Sequence, residues 1–161
     1  RHIVLDTLGQ TVWLTGQIFI IIAASGVFSR ALSLMQVPQT LTGALGGISP
    51  LMFFLMFNLL FLLLGMFLDP ASAILVTTPL IVPTALSLGI DLIQMGLVMV
   101  VNLAIGMFTP PIGLNLFVAQ SIFSKSMREV VISCLPFLVC YLLALIVTTY
   151  VPALYMWVPR L

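Results

Sequence analysis

The chain has 161 residues, of which 62% are apolar and only 6% are charged, and its net charge at pH 7 is +1. Soluble domains carry about 25% charged residues and the mean hydropathy here is +1.32, so a soluble globular domain is excluded and lipid is predicted to cover the surface. The near-neutral charge, without a run of lysine or arginine, excludes a nucleic-acid partner.

Five apolar stretches follow one another along the chain. Each is long enough to cross, or to enter deeply, a hydrocarbon core about 30 Å thick that requires about 20 helical residues. Backbone groups in lipid need partners inside the protein, so the stretches predict helices, and no alternation of apolar and polar residues suggests a barrel. The predicted fold class is therefore an all-α integral membrane protein. The stretches cover residues 11–28, 51–68, 71–88, 92–123 and 130–158.

The segment between the first two stretches, residues 36–50, is rich in glycine and threonine and is bounded by prolines. It is too short and too polar to span a membrane, so it predicts an interfacial connector. A short helix along the membrane and a flexible linker are both compatible with it, and we favour the linker. Gly43 and Gly47 have the spacing that permits close helix contact.

The fourth stretch, residues 92–123, is too long for one straight crossing. As a single helix its 32 residues would extend roughly 48 Å, well beyond the hydrocarbon core. Pro110 and Pro111 lie inside it, and consecutive prolines remove two N–H donors and disfavour helix in the residue before each. With Gly106 on one side and Gly113 on the other, the pattern predicts a discontinuous helix. We expect its second part to have Thr109 as N-cap and the first proline in its first turn.

A break at this depth would expose carbonyl oxygens at the end of one helix and N–H groups at the start of the next. Carbonyl oxygens can bind a sodium ion, and a helix N-terminus attracts an anion. The alternative is a plain proline kink with satisfied neighbours, but two prolines with Thr109, Asn115 and two glycines favour a site. Asn102, two turns before the prolines, could join that site or form an interhelical hydrogen bond.

Asp69 lies between the second and third stretches, just before Pro70. In one interpretation it caps the following helix at the membrane surface, with Pro70 in the first helical position. In the other, residues 51–88 form a re-entrant hairpin whose tip, residues 68–72, lies near mid-membrane, where an ionisable group is a functional candidate. Both arms are long enough for a full span, and the residue pattern alone favours the cap.

Four segments of the chain form a recognisable set. They are Gly65-Met66-Phe67-Leu68-Asp69-Pro70, Thr77-Thr78-Pro79-Leu80-Ile81-Val82-Pro83, Leu88-Gly89-Ile90-Asp91 and Val101-Asn102-Leu103-Ala104-Ile105-Gly106-Met107-Phe108-Thr109-Pro110-Pro111-Ile112-Gly113-Leu114-Asn115-Leu116-Phe117. In order and spacing they resemble the large membrane subunit of TRAP (tripartite ATP-independent periplasmic) transporters. The similarity extends from the first stretch to the last.

This resemblance implies that the chain is the C-terminal half of the subunit, the second of two inverted repeats in an elevator-type transporter. A start at Arg1-His2, without an initiator methionine, agrees with a part of a longer protein. The implied domains are a scaffold transmembrane helix (1–35), the interfacial connector (36–50), part of the transport domain (51–123) and a C-terminal scaffold helix (124–161). Within the transport part, residues 51–88 are the re-entrant hairpin and residues 92–123 the discontinuous helix.

The resemblance also overturns the preference for a simple cap at Asp69. It implies that the hairpin tip and the helix break together hold one sodium ion, and that the start of the second half-helix, near Ile112, approaches the carboxylate of the substrate. The implied sodium-binding residues are Gly65, Asp69, Ser72, Gly106, Thr109 and Pro110. The implied substrate-binding residues are Asn102, Pro111, Gly113 and Asn115.

The function that the resemblance implies is sodium-coupled import of a small organic anion, such as a dicarboxylate or sialic acid. The implied partners are a small membrane (Q) subunit, a periplasmic substrate-binding protein, the N-terminal half of the same subunit and the lipid bilayer. The implied location is the bacterial inner membrane, which the subunit crosses several times. Sodium is expected as coupling ion, with no cofactor and no other metal site.

Three alternatives remain open from the sequence. One is another two-hairpin, sodium-coupled anion permease that needs no binding protein. The second is a membrane scaffold subunit without transport of its own, and the third is a channel. No Ser/His/Asp set, metal-ligand cluster or phosphate-binding loop is found in the sequence, so an enzyme is not expected.

Overall fold

A computed structural model describes residues 2–45 and 47–157, and within these ranges the regular structure is entirely helical. This confirms the predicted all-α class. The helices are α1 (His2–Leu34), α2 (Val37–Leu45), α3 (Pro50–Phe67), α4 (Pro70–Ser87), α5 (Leu92–Gly106), α6 (Leu114–Phe123) and α7 (Met127–Tyr150), followed by a short 3-10 helix (Pro152–Leu154).

Polar residues set the start of four helices. Ser49 and Asp69 each accept a hydrogen bond from a backbone N–H of the first turn. Each also precedes a proline in the first helical position, where no N–H is needed. Asp91 caps α5 in the same way, and Ser126 forms a reciprocal capping box with Glu129 at the start of α7. These caps satisfy N–H groups that have no partner within their own helix.

Four helices are long and apolar enough to cross a membrane: α1, α3, α4 and α7. Helices α5 and α6, which follow one another in the fourth stretch, are shorter, with 15 and 10 residues. At 1.5 Å per residue they extend about 22 Å and about 15 Å. Neither piece alone spans a core about 30 Å thick, so the point where they meet lies within the apolar layer if both are embedded in it.

The most extensive helix contact joins α3 and α5. Asn58 of α3 bonds Asn102 of α5, and further along Gly65 of α3 packs on Gly106 of α5, so the two helices run in the same direction. Beside this contact, α3 carries four buried phenylalanine side chains whose rings stack or meet edge to face, a geometry that adds about 0.5–1.5 kcal/mol per pair. They are Phe53, Phe54, Phe57 and Phe61.

The connector is more ordered than we expected. Residues Val37–Leu45 form helix α2, which packs on α4 with Pro38 buried. The hydroxyl of Thr42 donates to the Pro38 carbonyl at 2.8 Å, so its oxygen is left to accept from the Thr84 hydroxyl at 3.1 Å. The preference for a flexible linker was therefore wrong, because this polar link and the packing on α4 order the segment.

The close helix contact that the spacing of Gly43 and Gly47 permits does not occur. A Cβ atom at either position would meet nothing within 4 Å. The right spacing does not by itself bring a second helix to the glycines, and the close approach occurs instead at Gly65 and Gly106.

Helix α4 contains two internal prolines, Pro79 and Pro83. Pro79 has no N–H to donate to the carbonyl of Leu75, one turn earlier. The hydroxyl of Ser25 in α1 donates to that carbonyl at 2.7 Å. A side chain from the neighbouring helix thus supplies the partner that the proline removes, as prolines in membrane helices require.

Helix α7 lies against α5 and α6, and it ends earlier than the apolar stretch suggested. Tyr150 is its last residue, because Pro152 disfavours helical geometry in the residue before it. The chain continues into the short 3-10 helix. The division of the chain into scaffold and transport domains stays a prediction.

Candidate ion and substrate site

The fourth stretch is interrupted where the two prolines lie. Helix α5 ends at Gly106, α6 begins at Leu114, and residues 107–113 between them form turns. The predicted discontinuous helix is confirmed. The cause is local, since neither Pro110 nor Pro111 can donate a helical hydrogen bond.

The start of the second half-helix differs from the prediction that Thr109 caps it. The Thr109 hydroxyl donates backwards to the carbonyl of Ile105 at 2.7 Å, and its N–H donates to Gly106 at 3.0 Å. Thr109 therefore closes the first helix. Pro111 disfavours helical geometry at Pro110, which agrees with a second helix that begins only at Leu114. Gly113 is the N-cap of α6 instead, without a side-chain hydrogen bond.

The interruption leaves both carbonyl acceptors and N–H donors of the backbone without hydrogen-bond partners. Among the described residues, the carbonyl oxygens of Phe108, Thr109 and Pro110 accept no backbone hydrogen bond. At the start of α6, the N–H groups of Ile112, Gly113 and Leu114 donate none. Such groups are costly in an apolar layer. Free carbonyl oxygens suit a cation, and free N–H groups at a helix start suit an anion.

Gly113 is held tightly inside this interruption. Its φ of 38° lies in the left-handed region, where a side chain is strained. A Cβ atom there would lie 2.9 Å from the carbonyl oxygen of Thr109 and 3.0 Å from that of Met107. The N–H of Asn115 donates to the same Met107 carbonyl at 2.9 Å, which ties α6 back to the end of α5.

The connection between α3 and α4, which is the tip of the predicted hairpin, lies at the same end of the α3–α5 pair as the break. A Cβ atom on Gly106 would lie 2.6 Å from the Cα of Gly65, and one on Gly65 would lie 2.8 Å from the carbonyl oxygen of Leu103. The two backbones are thus in direct contact. Helix α3 ends two residues after Gly65, and α5 ends at Gly106. The connection to α4 therefore begins beside the interruption.

Asp69 occupies that connection and caps α4, with its carboxylate accepting from the N–H of Ser72 at 2.9 Å. This is the cap that the first interpretation predicted. Asp69 follows the end of α3 by two residues, and Gly65 of that helix contacts Gly106 at the end of α5. The re-entrant hairpin of the second interpretation and the mid-membrane depth of its tip stay predictions.

The predicted site residues fall into three environments. Gly65 and Gly106 are buried in the helix contact, with Thr109 and Pro110 half-buried directly after it. Asp69 at the tip is exposed and Ser72 is half-buried, while Pro111 in the break and Asn115 in the first turn of α6 are exposed. Gly113 and Asn102 are buried. The structure thus places the tip and the break at one end of the α3–α5 pair, and Asn102 one turn before Gly106 on α5.

Asn102 belongs to a chain of polar side chains across three helices. Its Nδ2 donates to Oδ1 of Asn58 at 2.8 Å and to the carbonyl of Val98 at 2.8 Å. Nδ2 of Asn58 in turn donates to the hydroxyl oxygen of Thr149 at 3.1 Å, and that hydroxyl donates to Leu145. This is the interhelical hydrogen bonding that the sequence left open for Asn102, and its role in binding substrate stays a prediction.

The polar chain contains one unsatisfied atom. Asn102 is 0% exposed, and its Oδ1 has no hydrogen-bond partner among the described residues. Both hydrogens of its amide are already used. A buried acceptor in this state costs about 1–3 kcal/mol. Sequence reasoning missed Asn58 and Thr149 as its partners, although an asparagine in an otherwise apolar helix is a signal for interhelical bonding.

Comparison with known proteins identifies the family of the chain. The sequence model of the family described as "Tripartite ATP-independent periplasmic transporter, DctM component" matches residues 1–154. The chain belongs to this family. The predicted resemblance is confirmed, and the family assignment decides against a permease of another family.

Three relatives show the range of proteins to which this DctM-family chain is similar. It is 40% identical over 150 residues to the C4-dicarboxylate TRAP transporter large permease protein DctM of Vibrio cholerae, a match that covers 92% of this chain and 33% of that protein. It is 33% identical over 154 residues to the isethionate TRAP transporter permease protein DctMQ of Oleidesulfovibrio alaskensis, covering 94% and 24%. With the sialic acid TRAP transporter permease protein SiaT of Haemophilus influenzae it shares 32% identity over 150 residues, covering 92% of this chain and 24% of that protein.

The chain thus spans about a third or less of the length of these relatives. Together with the four apolar helices, the family makes it part of a multi-pass membrane protein.

Proposed function

We propose that this chain forms half of the translocation site of a TRAP permease that imports a small organic anion together with sodium. The observation that carries the proposal is the adjacency of two interrupted backbones, the end of α3 at the hairpin tip and the break between α5 and α6. Transporters commonly bind ion and substrate at discontinuous helices near mid-membrane.

The cation position would be formed by oxygen atoms at the ends of α3 and α5. The free carbonyls of Phe108, Thr109 and Pro110 follow directly on the Gly65–Gly106 contact. The carbonyl end of a helix carries partial negative charge. The carboxylate of Asp69, with Ser72 beside it, would add charge from the tip. Sodium would then hold tip and break together.

The anion position would be formed at the start of α6. The N–H groups of Ile112, Gly113 and Leu114 are free, and the exposed side chain of Asn115 and the exposed Pro111 lie in the same segment. A bound sodium ion would draw carbonyl groups of the break towards itself and so order this segment for a carboxylate or sulfonate. Coupling is the free-energy difference between binding the anion with and without sodium in place.

The relatives guide the choice of substrates and partners. The names of the three relatives refer to C4-dicarboxylate, isethionate and sialic acid, all anions at neutral pH. We propose the same class of substrate here. We also propose a small membrane subunit, a periplasmic binding protein, the remainder of the large subunit and the bacterial inner membrane as its setting. The relative named DctMQ agrees with a small membrane subunit, because its name joins M and Q.

The proposal is tested with the complete permease in lipid vesicles. Uptake of a labelled C4-dicarboxylate, isethionate or sialic acid is measured with its binding protein, under an inward sodium gradient and under an equal potassium gradient. We expect saturable uptake of one of these anions with sodium only. Equal uptake in sodium and potassium would contradict sodium coupling, and conductance without saturation would support a channel.

A substitution at Asp69 separates its role as the cap of α4 from the proposed role of its charge. Asp69→Asn retains an oxygen that can cap α4 but removes the charge, and we expect it to raise the sodium concentration for half-maximal uptake. Asp91→Asn is the matched control, because Asp91 caps α5 at its opposite end. An unchanged sodium dependence in Asp69→Asn would remove its charge from the mechanism.

A further inference from the structure

We propose that Asn58, Asn102 and Thr149 are positioning residues for the ion site. Their hydrogen bonds hold α3 on α5 in the register that places the hairpin tip beside the helix break. The inference rests on the proposed sodium coupling, and it assigns this polar chain a positioning role that is separate from the substrate contact predicted for Asn102.

Each hydrogen bond of this polar chain has only one possible donor. The single hydroxyl hydrogen of Thr149 donates to the Leu145 carbonyl, so its oxygen can only accept from Nδ2 of Asn58. That orientation leaves Oδ1 of Asn58 as the acceptor for Asn102. One side chain from each of α7, α3 and α5 is thereby placed in a fixed order, and rotation of either asparagine amide would break the chain.

The polar chain lies one turn from the contact that it would align. Asn58 precedes Leu62 by one turn, and Asn102 precedes Gly106 by one turn. A Cβ atom on Gly106 would lie 2.9 Å from the carbonyl oxygen of Leu62. The two asparagines and this backbone contact therefore share one alignment of α3 on α5. Sliding the helices by one turn would separate the asparagines and bring larger residues between the backbones.

Helix association alone does not account for the polar pair. Oδ1 of Asn102 remains unsatisfied at 0% exposure, whereas two leucines would fill the same space without an unpaired acceptor. Replacing both members of a buried polar pair by apolar groups is often neutral or stabilising. Fixing the register of packed helices is the best-attested use of buried polar side chains.

The experiment uses the complete permease in vesicles and measures two quantities for each variant. One is the sodium concentration for half-maximal uptake, and the other is the denaturation temperature without sodium. We expect the double variant Asn58→Leu/Asn102→Leu to raise the half-saturating sodium concentration about tenfold, equivalent to about 1.4 kcal/mol, with an unchanged or higher denaturation temperature. A purely structural role would lower the temperature and leave the sodium dependence alone.

Two further variants refine the test. Thr149→Val removes one hydroxyl at constant shape, and we expect a shift of about threefold, which Thr149→Ser should not show. Gln94→Leu is the matched control, because Gln94 bonds the carbonyl of Thr149 and makes no hydrogen bond to α3. We expect its half-saturating sodium concentration to equal that of the parent.

The outcomes separate this inference from the proposed function. Uptake by the parent protein that ignores sodium would contradict the proposed function. Sodium-dependent uptake by the parent, with an unchanged half-saturating concentration in the double variant, would overturn only the positioning role. An equal shift in Gln94→Leu would overturn it too. If the double variant does not fold, equal sodium dependence of Thr149→Val and Thr149→Ser would overturn it.

Discussion

The α3–α5 contact and the α1–α4 contact are held together in opposite ways. In the first, glycines bring two backbones within van der Waals contact, and the buried Asn102 and the half-buried Asn58 bond beside them. In the second, one hydroxyl of Ser25 reaches a carbonyl that Pro79 leaves free. About a third of the residues of α3 are buried inside the protein, compared with 6% of an apolar 18-residue segment of α1.

The difference shows which contact can define a site. Lipid is as apolar as leucine, so helices in a membrane associate through close packing and polar bonds rather than through the hydrophobic effect. The glycine contact allows only one alignment, because any side chain there would force the backbones apart. Among the described residues, one hydroxyl bond joins α1 and α4, and it constrains their alignment much less.

The largest effect is expected where the two backbones meet. Gly106→Ala places a Cβ atom 2.5 Å from the carbonyl carbon of Gly65, so the helices must separate. We expect a loss of stability of about 1–3 kcal/mol and about a 100-fold loss of uptake, as a 1 Å misplacement can cause. Both are measured on the complete permease, by thermal denaturation and vesicle uptake.

The control for this substitution lies on the same helix. A Cβ atom at Gly96 meets nothing within 4 Å, so Gly96→Ala should be neutral or stabilising by up to about 1 kcal/mol. Equal behaviour of the two variants would contradict the tight α3–α5 contact.

A smaller effect is expected inside the break. Gly113→Ala combines a strained φ with a clash against the Thr109 carbonyl, which should disturb the proposed cation position. Gly89→Ala also places a side chain at a positive φ, +70°, but its Cβ atom meets nothing within 4 Å. Strain alone costs about 1–2 kcal/mol in both. Only Gly113→Ala should also raise the half-saturating sodium concentration, by about tenfold, and identical sodium dependence would count against a site at the break.

The smallest effect is expected at the α1–α4 contact. Ser25→Ala removes the partner of the Leu75 carbonyl and should cost about 0.5–1.5 kcal/mol without changing the sodium dependence. Ser33→Ala, on the same helix, removes only an exposed bond to its own helix and should cost nothing measurable.

A second substitution tests the cause. Pro79→Ala restores an N–H that can bond Leu75, so Ser25→Ala should cost less in that background than in the parent. Equal costs in the two backgrounds would show that the proline is not the reason for the bond.

Much of the fold follows from local sequence rules. The double proline marks the break, and Asp69-Pro70 marks the start of α4, because both depend only on neighbouring residues. The exact start of α6 was missed, because Thr109 could bond forwards or backwards, and only the geometry of residues 107–113 decides between them.

Long-range partners were beyond sequence reasoning. Gly65 and Gly106 were both predicted site residues, but their direct contact joins positions far apart in the chain. Asn58 is the one strongly polar residue of residues 51–68, but nothing in the sequence names Asn102 or Thr149 as its partner. Conversely, Gly43 and Gly47 had a suitable spacing and no neighbour, so spacing alone is a weak guide.

The most direct test is backbone hydrogen exchange of the complete permease during a sodium titration, with potassium replacing sodium at constant ionic strength. The two segments to follow are residues 68–74, at the hairpin tip, and residues 107–118, across the break. If one ion joins them, both should become protected at the same sodium concentration, with no change in residues 4–20 of α1. Protection of one segment alone, or of neither, would contradict a shared ion site.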